Sequence, residues 1–130
     1  MENIRVPVSP GEVLDKITIL EIKSERMTDP AKVANVRTEL ALLQETWARA
    51  VQADDTVREL HTQLKEINEA LWEIEDDIRD KERVKEFDQR FIELARSVYF
   101  TNDRRSQVKK ELNLHLGSQI IEEKSYQSYD

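Results

Sequence analysis

Residues 8–23 read VSPGEVLDKITILEIK and carry a complete start signal for a helix. Ser9 and Glu12 have the spacing of a capping box, in which each side chain satisfies a backbone N–H of the first turn. Pro10 falls at the first helical position, where its missing N–H is not needed. We therefore place the start of the first helix at Ser9.

Apolar side chains occupy two sides of this first helix. One side carries Val13, Leu14, Ile17, Leu20 and Met27, and the roughly opposite side carries Ile19 and Ile22. A helix on the surface of a protein needs only one apolar side. We therefore expect this helix to lie in the centre of the fold, with other helices on two sides of it.

Residues 31–116 contain neither proline nor glycine, so the sequence predicts an almost entirely helical chain. Turn signals near residues 28, 54 and 85 divide it. The predicted helices span 9–27, 29–53, 56–83 and 88–116. Thr56 and Glu59 offer a capping box for the third of them.

The two ends of the chain have different patterns. In residues 1–8 the apolar Ile4, Val6 and Val8 alternate with other residues, which predicts an extended arm or a short edge strand. Residues 117–130 form a tail after Gly117, and we expect the tail to be ordered in part by docking of its apolar side chains.

Apolar residues of the second and third helices recur at spacings of three and four, which is typical of coiled-coil packing. Short connections between long helices favour antiparallel neighbours. The sequence thus predicts one all-α domain over residues 1–130, an elongated antiparallel helical bundle of about four helices with an extended N-terminal arm. The same spacing favours pairing between chains, so we expect a homodimer.

Composition limits the function and the location of the chain. Its net charge of -7 and pI near 5.0 disfavour nucleic acid as a partner. It has no cysteine, which excludes disulfides and thiolate metal sites and is typical of a reducing compartment. No signal pattern and no membrane-spanning run is visible. We expect a cytoplasmic protein, in the host cytoplasm if it is viral, without membrane contact.

Arg105 continues the inward stripe of the fourth helix, where valine or leucine would be typical. A buried guanidinium without a partner is strongly unfavourable. Folding the third helix onto the fourth about a turn near residue 85 brings Arg105 level with residues 66–68. The predicted polar layer consists of Asp15, Lys16, Asn68, Thr101, Asn102 and Arg105. It fixes the register of the helices, binds an anionic ligand, or faces solvent where the bundle opens, and the sequence leaves these three alternatives open.

The third helix also carries many carboxylates. The candidates for metal ligands are Glu69, Glu73, Asp76 and Asp77. Paired carboxylates at helical spacing are typical of Mg²⁺ or Mn²⁺ sites in all-helical nucleotide pyrophosphatases. Here they lie on one continuous helix, whereas a metal site needs convergence from several directions. A solvated acidic face is therefore the simpler interpretation, and we expect no cofactor.

Trp72 lies beside the apolar stripe of the third helix, and we name it with Ile4 and Val6 as a candidate for an interface. No phosphate loop, nucleophile elbow or Ser-His-Asp arrangement is present, so no catalytic residue is assigned. We expect a protein-interaction or assembly module that acts as a homo-oligomer. The alternative is a Mg- or Mn-dependent enzyme, similar to a nucleotide pyrophosphohydrolase, with a phosphorylated or polyanionic substrate.

Several stretches of the chain resemble a known family. They are VPVSPGE (6–12) with DKITIL (15–20), LW (71–72) with IED (74–76), LARSVY (94–99) with TNDR (101–104), and EEKSY (122–126). Together they resemble a family of small uncharacterised proteins of bacteria and bacteriophages, a domain of unknown function. The resemblance spans nearly the whole chain. It implies a single helical domain and no established activity.

Overall fold

The computed structural model describes residues 1–130 and contains four helices and no strand. They are α1 (Pro10–Arg26), α2 (Pro30–Ala50), α3 (Asp55–Arg83) and α4 (Gln89–His115). The fold is an all-α bundle, as the sequence predicted. Residues 1–9 form no strand, so the edge-strand alternative is not realised. None of the helices combines the length and the hydropathy that a membrane span requires.

Side-chain caps set the starts of the helices. Ser9 Oγ accepts a hydrogen bond from the Glu12 N–H at 3.3 Å, which is one half of the predicted capping box. The other half does not form, because the Glu12 carboxylate binds Lys109 of α4. At α3, however, Asp54 Oδ1 accepts from the Val57 N–H at 2.8 Å, so the helix begins at Asp55 and the Thr56 capping box does not form. An ionised carboxylate is a stronger acceptor than a hydroxyl, which explains the earlier start.

The second helix ends earlier than the turn signal near residue 54 predicts. α2 ends at Ala50, not at residue 53, and Val51 has extended backbone angles (φ -125°, ψ 127°). Asp54, which caps α3, is also extended (φ -100°, ψ -176°). The connection from α2 to α3 is therefore residues 51–54.

Helix α1 lies in the centre of the bundle, as its two apolar sides predict. It packs against α2, α3 and α4, whereas the backbone of α2 approaches no helix except α1. Helices α3 and α4 pack together as a hairpin. The core consists of Leu14, Ile17, Val57, Leu60, Leu64, Ile67, Val108 and Leu112.

The core is confined to one end of the α3–α4 hairpin. All core residues of α3 and α4 lie within 57–67 and 108–112. We call residues 74–101, at the other end, the distal hairpin. Its single buried residue is Leu94. Its large exposed apolar side chains are Val84, Phe87, Ile92, Tyr99 and Phe100. The two halves of the hairpin therefore differ sharply in how well they are covered.

Candidate functional site

Four polar side chains meet where α1, α3 and α4 come together, and we call them the polar cluster: Asp15, Thr18, Asn68 and Arg105. The Asn68 amide joins them. Its Nδ2 donates to Asp15 Oδ1 and to Thr18 Oγ1, both at 2.9 Å. Its Oδ1 accepts from Arg105 Nη1 at 3.4 Å. Asp15, Thr18 and Asn68 are all buried. The amide thus satisfies buried polar groups from two other helices.

Local geometry explains how each side chain enters the cluster. Asp15 and Thr18 are three residues apart on α1 and therefore lie on one side of the helix. The Thr18 hydroxyl donates to the Asp15 carbonyl oxygen at 2.7 Å, which leaves its lone pairs free for Asn68. Asn68 follows the core residue Ile67 on α3. Arg105 reaches Asn68 because α3 and α4 run antiparallel from the turn at residues 84–88.

The structure brings three of the six predicted layer residues together, namely Asp15, Asn68 and Arg105. Lys16 lies elsewhere: it is exposed, and its Nζ is 3.0 Å from Glu39 Oε2 of α2. Successive residues of a helix are rotated by about 100°, so Lys16 cannot share the direction of Asp15. Thr101 and Asn102 are half-buried and make no side-chain hydrogen bond to the cluster.

Thr18 belongs to the cluster although the sequence analysis did not name it. Its side chain is fully buried, with 0% relative exposure. One feature of the sequence could have indicated that Thr18 belongs to the cluster: it follows Asp15 by three residues and so lies on the same side of α1. A short hydroxyl in a run of apolar residues is hard to distinguish from a surface position without knowing which helices cover it.

Arg105 has unused hydrogen-bonding capacity. It is the one arginine of the chain that is not exposed, and it makes no ion pair. A guanidinium carries five N–H donors, and here one of them reaches Asn68. The remaining donors have no protein acceptor. The Arg105 guanidinium therefore has N–H donors available for a further hydrogen-bond acceptor.

Arg105 is one of the residues that line an open groove, which we call the Trp72 groove. Its volume is about 450 Å³, within the range of small-molecule sites. It is lined by Ile19, Ile22, Asn68, Leu71, Trp72, Glu75, Asp76, Arg79 and Arg105. The bundle therefore opens at the level of the polar cluster, where apolar and charged side chains from three helices share one surface.

The acidic residues of α3 do not converge. Glu69 and Glu73 both contact the Arg26 guanidinium of α1, at 3.5 and 3.3 Å. Asp76 lines the Trp72 groove and Asp77 is exposed, and neither makes an ion pair. Nowhere in the chain do three or more histidine, aspartate or glutamate side chains form a group that could hold a metal ion. The four candidate metal ligands are thus dispersed along one helix.

A second polar junction, around Lys109, was not predicted. Lys109 Nζ lies 2.9 Å from both Glu12 Oε2 and Glu122 Oε2, and its side chain is 11% exposed. Burial lowers the pKa of Lys109, but the two carboxylates outweigh that effect and hold it above its usual value of 10.5. Lys109 lowers the pKa of Glu122 in return. We call this the Lys109 junction, and it joins α1, α4 and the tail.

The tail runs back along α4. After Glu122, Glu123 contacts Lys110 at 3.4 Å and the Tyr129 hydroxyl donates to Asp103. The hydrogen bond with Asp103 raises the pKa of Tyr129 to about 12. The Tyr129 ring also packs against Tyr99 and Phe100, with centroids 5.3 and 4.9 Å apart. Ion pairs and aromatic contacts therefore order a segment without helix or strand.

Comparison with known proteins shows the family but assigns no activity. No curated protein and no solved structure matches this chain. A family model described as a family of unknown function, DUF6165, matches residues 4–129. The match covers α1, the polar cluster and the Lys109 junction, and it confirms the resemblance found in the sequence. The chain belongs to DUF6165, a family of unknown function.

Proposed function

We propose that this protein is a helical interaction module that assembles as a homodimer. The observation that supports it is the size of the exposed surface, which is 9355 Å² for a chain of 15.3 kDa. A compact monomer of this mass exposes roughly 7,100 Å². The excess of roughly 2,200 Å² is more than the roughly 800 Å² that each partner buries in an interface of standard size.

The location of the apolar surface supports the same proposal. Residues 1–8 and the tail account for part of the excess, and they expose apolar side chains of their own, such as Ile4, Val6 and Tyr126. The distal hairpin adds an apolar surface built on helices, with Ile92 48%, Val84 56% and Phe87 56% exposed. Helices in proteins owe most of their stability to tertiary packing of their apolar sides. A second chain that covers this surface would complete the packing of the distal hairpin.

The interface candidates from the sequence fit this assembly in different ways. Trp72 lines a groove to which Glu75, Asp76 and Arg79 of the distal hairpin also contribute, so it borders the proposed contact. Ile4 and Val6 lie in the N-terminal segment before α1 and are 78% and 65% exposed. They remain candidates for a second contact region, separate from the distal hairpin.

The alternative of a metal-dependent enzyme has less support from this geometry. It would need carboxylates from at least two helices converging beside Arg105. The carboxylates that line the groove with Arg105 are Glu75 and Asp76, both from α3. Glu75 is already paired with Arg79 at 3.2 Å. The arrangement therefore favours the interaction module over the enzyme.

Light scattering coupled to size-exclusion chromatography tests the proposal, over protein concentrations from about 1 to 100 μM. We expect the mass of two 15.3 kDa chains. Ile92→Asp should give single chains, because it places a charge on the proposed contact. Leu42→Asp is the matched control, since Leu42 is also 48% exposed but lies on α2.

Two results would contradict the proposal or move the contact. Single chains at every concentration would refute the homodimer. Dissociation by Leu42→Asp but not by Ile92→Asp would show that the contact lies on α2 and that the distal hairpin is not involved.

A further inference from the structure

Helix α1 covers one particular face of the α3–α4 hairpin. On α3 it contacts a row of residues three or four apart: His61 pairs with Glu21 (2.9 Å), Lys65 with Glu25 (2.7 Å) and Asn68 with Asp15 (2.9 Å). On α4 it contacts Lys109 and Asn113, four residues apart. Residues at these spacings lie on the same side of a helix. The two rows therefore define the face on which α1 lies.

The same rows continue beyond α1 into the distal hairpin. On α3 the spacing leads from Asn68 to Trp72, Glu75 and Arg79, and on α4 it leads from Lys109 back to Asn102, Ala95 and Ile92. Apolar residues beside these rows, between α3 and α4, are only partly buried; Ile78 and Val98 are examples. No further helix of this chain lies on this continuation, and the tail borders it on α4, where the Tyr129 ring packs against Tyr99. We call it the open face, and it extends from the Trp72 groove to the turn at residues 84–88.

The turn at residues 84–88, which we call the tip, exposes apolar side chains and a lysine. Val84 and Phe87 are each 56% exposed, and Lys85 between them makes no ion pair. The groove offers Trp72 and Leu71 as apolar surface and Asp76 as an unpaired carboxylate. It also offers the unused donors of Arg105. The exposed apolar groups and the opposite charges of Lys85 and Asp76 are thus complementary.

This complementarity within one chain is what a two-fold dimer requires. In such a dimer the same surface serves both partners, so that residue i contacts residue j and residue j contacts residue i. Two open faces packed antiparallel would form a four-helix bundle from the two distal hairpins. Trp72 and Val84 are separated by about 18 Å along α3, at 1.5 Å per residue. Each tip would then reach the groove of the other chain.

We infer that a second copy of this chain packs its distal hairpin antiparallel on the open face, with the tip of each copy in the Trp72 groove of the other. Lys85 of one chain would meet Asp76 of the other, and Phe87 would pack near Trp72. This inference rests on the proposed homodimer and specifies its geometry.

The absence of cysteine makes a direct test simple. We would prepare Asp76→Cys and Lys85→Cys as separate proteins, mix them, and oxidise the mixture gently. A disulfide requires Cα atoms less than about 7 Å apart. We expect the mixture to give a crosslinked pair of the two variants. Each variant alone should give little, because identical positions are then about 13 Å apart in this arrangement. Arg37→Cys, on the exposed side of α2, mixed with Asp76→Cys is the control and should not crosslink.

A charge exchange provides a second measurement. Asp76→Lys and Lys85→Asp should each weaken the dimer by about 5- to 30-fold, since each change affects two symmetric ion pairs. The double variant should restore most of the affinity. If it does not, the two residues are not partners and the inference is overturned.

The outcomes separate this inference from the proposed function. A dimer by mass that crosslinks between Asp76→Cys and Lys85→Cys supports both. A dimer in which identical positions crosslink instead, or in which the mixture does not crosslink, overturns the antiparallel geometry and leaves the homodimer standing. A monomer at all concentrations overturns both.

Discussion

The backbone N–H of Gly11 donates a 2.7 Å hydrogen bond to Asn113 Oδ1, which joins the start of α1 to the end of α4. The approach is so close that a Cβ on Gly11 would lie 2.7 Å from the Lys109 carbonyl oxygen. Beside it, Lys109 binds Glu12 and Glu122. Glycine at this position is therefore required by the packing of α1 on α4.

Gly11→Ala should destabilise the protein by about 1–3 kcal/mol, because the new methyl group has no room against the Lys109 backbone. Helix propensity alone predicts the opposite sign, since alanine is favoured over glycine by about 1 kcal/mol. Urea unfolding measures the change. Ala34→Gly, at an exposed position of α2, provides the reference for propensity. A gain in stability for Gly11→Ala would show that α1 does not approach α4 so closely.

Asn68→Ala should reduce the free energy of unfolding by about 1–3 kcal/mol, because the buried Asp15 carboxylate and Thr18 hydroxyl would lose their amide donor. The matched control is Asn102→Ala, since Asn102 is half-buried but makes no side-chain hydrogen bond. Its effect should stay within about 0.5 kcal/mol. Equal effects of the two changes would show that the amide of Asn68 has no special structural role.

Lowering the pH should weaken the turn between α3 and α4. The Lys81 ammonium and the Phe91 N–H hold the pKa of Asp88 below its usual value of 3.8. The unfolded chain therefore binds a proton more readily, and the stabilising contribution is present above pH 3.8 and is lost as the pH falls through the lower folded value. Asparagine also caps helices well, so Asp88→Asn should remove this part of the pH dependence and keep the cap.

Thermal unfolding measured between about pH 2 and 6 tests that effect. Asp77→Asn is the control, because Asp77 is an exposed aspartate of α3 without an ion pair. A pH profile that is unchanged by Asp88→Asn would show that the contact with Lys81 does not persist in solution.

Lys109→Met should release the tail from α4, because the methionine cannot bind Glu122 or Glu12. Limited proteolysis followed by mass spectrometry should then show faster cleavage within residues 117–130. Lys110→Met is the matched control, since the Lys110 contact with Glu123 is longer, at 3.4 Å, and more exposed. Equal cleavage rates in the two variants would mean that the Lys109 junction does not secure the tail.

Much of the fold could be predicted because the signals for it are local. Ser9 and Pro10 start α1 through contacts within the first turn, and the spacing of apolar residues indicates the side of each helix that is buried. The pairing of Asn68 with Arg105 follows from counting residues away from one turn, since two antiparallel helices advance at the same rate per residue. Counting does not give the direction of a side chain around the helix, so Lys16 was included although it lies toward α2.

The amino-acid sequence alone was sufficient for the all-α fold, the central position of α1 and the family of the chain, because caps and apolar spacing act between residues close together in sequence. The tertiary structure was needed for the Lys109 junction, the position of the tail and the open face of the distal hairpin. Each of these depends on contacts between residues far apart in sequence, such as Gly11 and Asn113, or on where α1 stops covering the α3–α4 hairpin. Such contacts depend on how whole helices pack, and no local pattern encodes them.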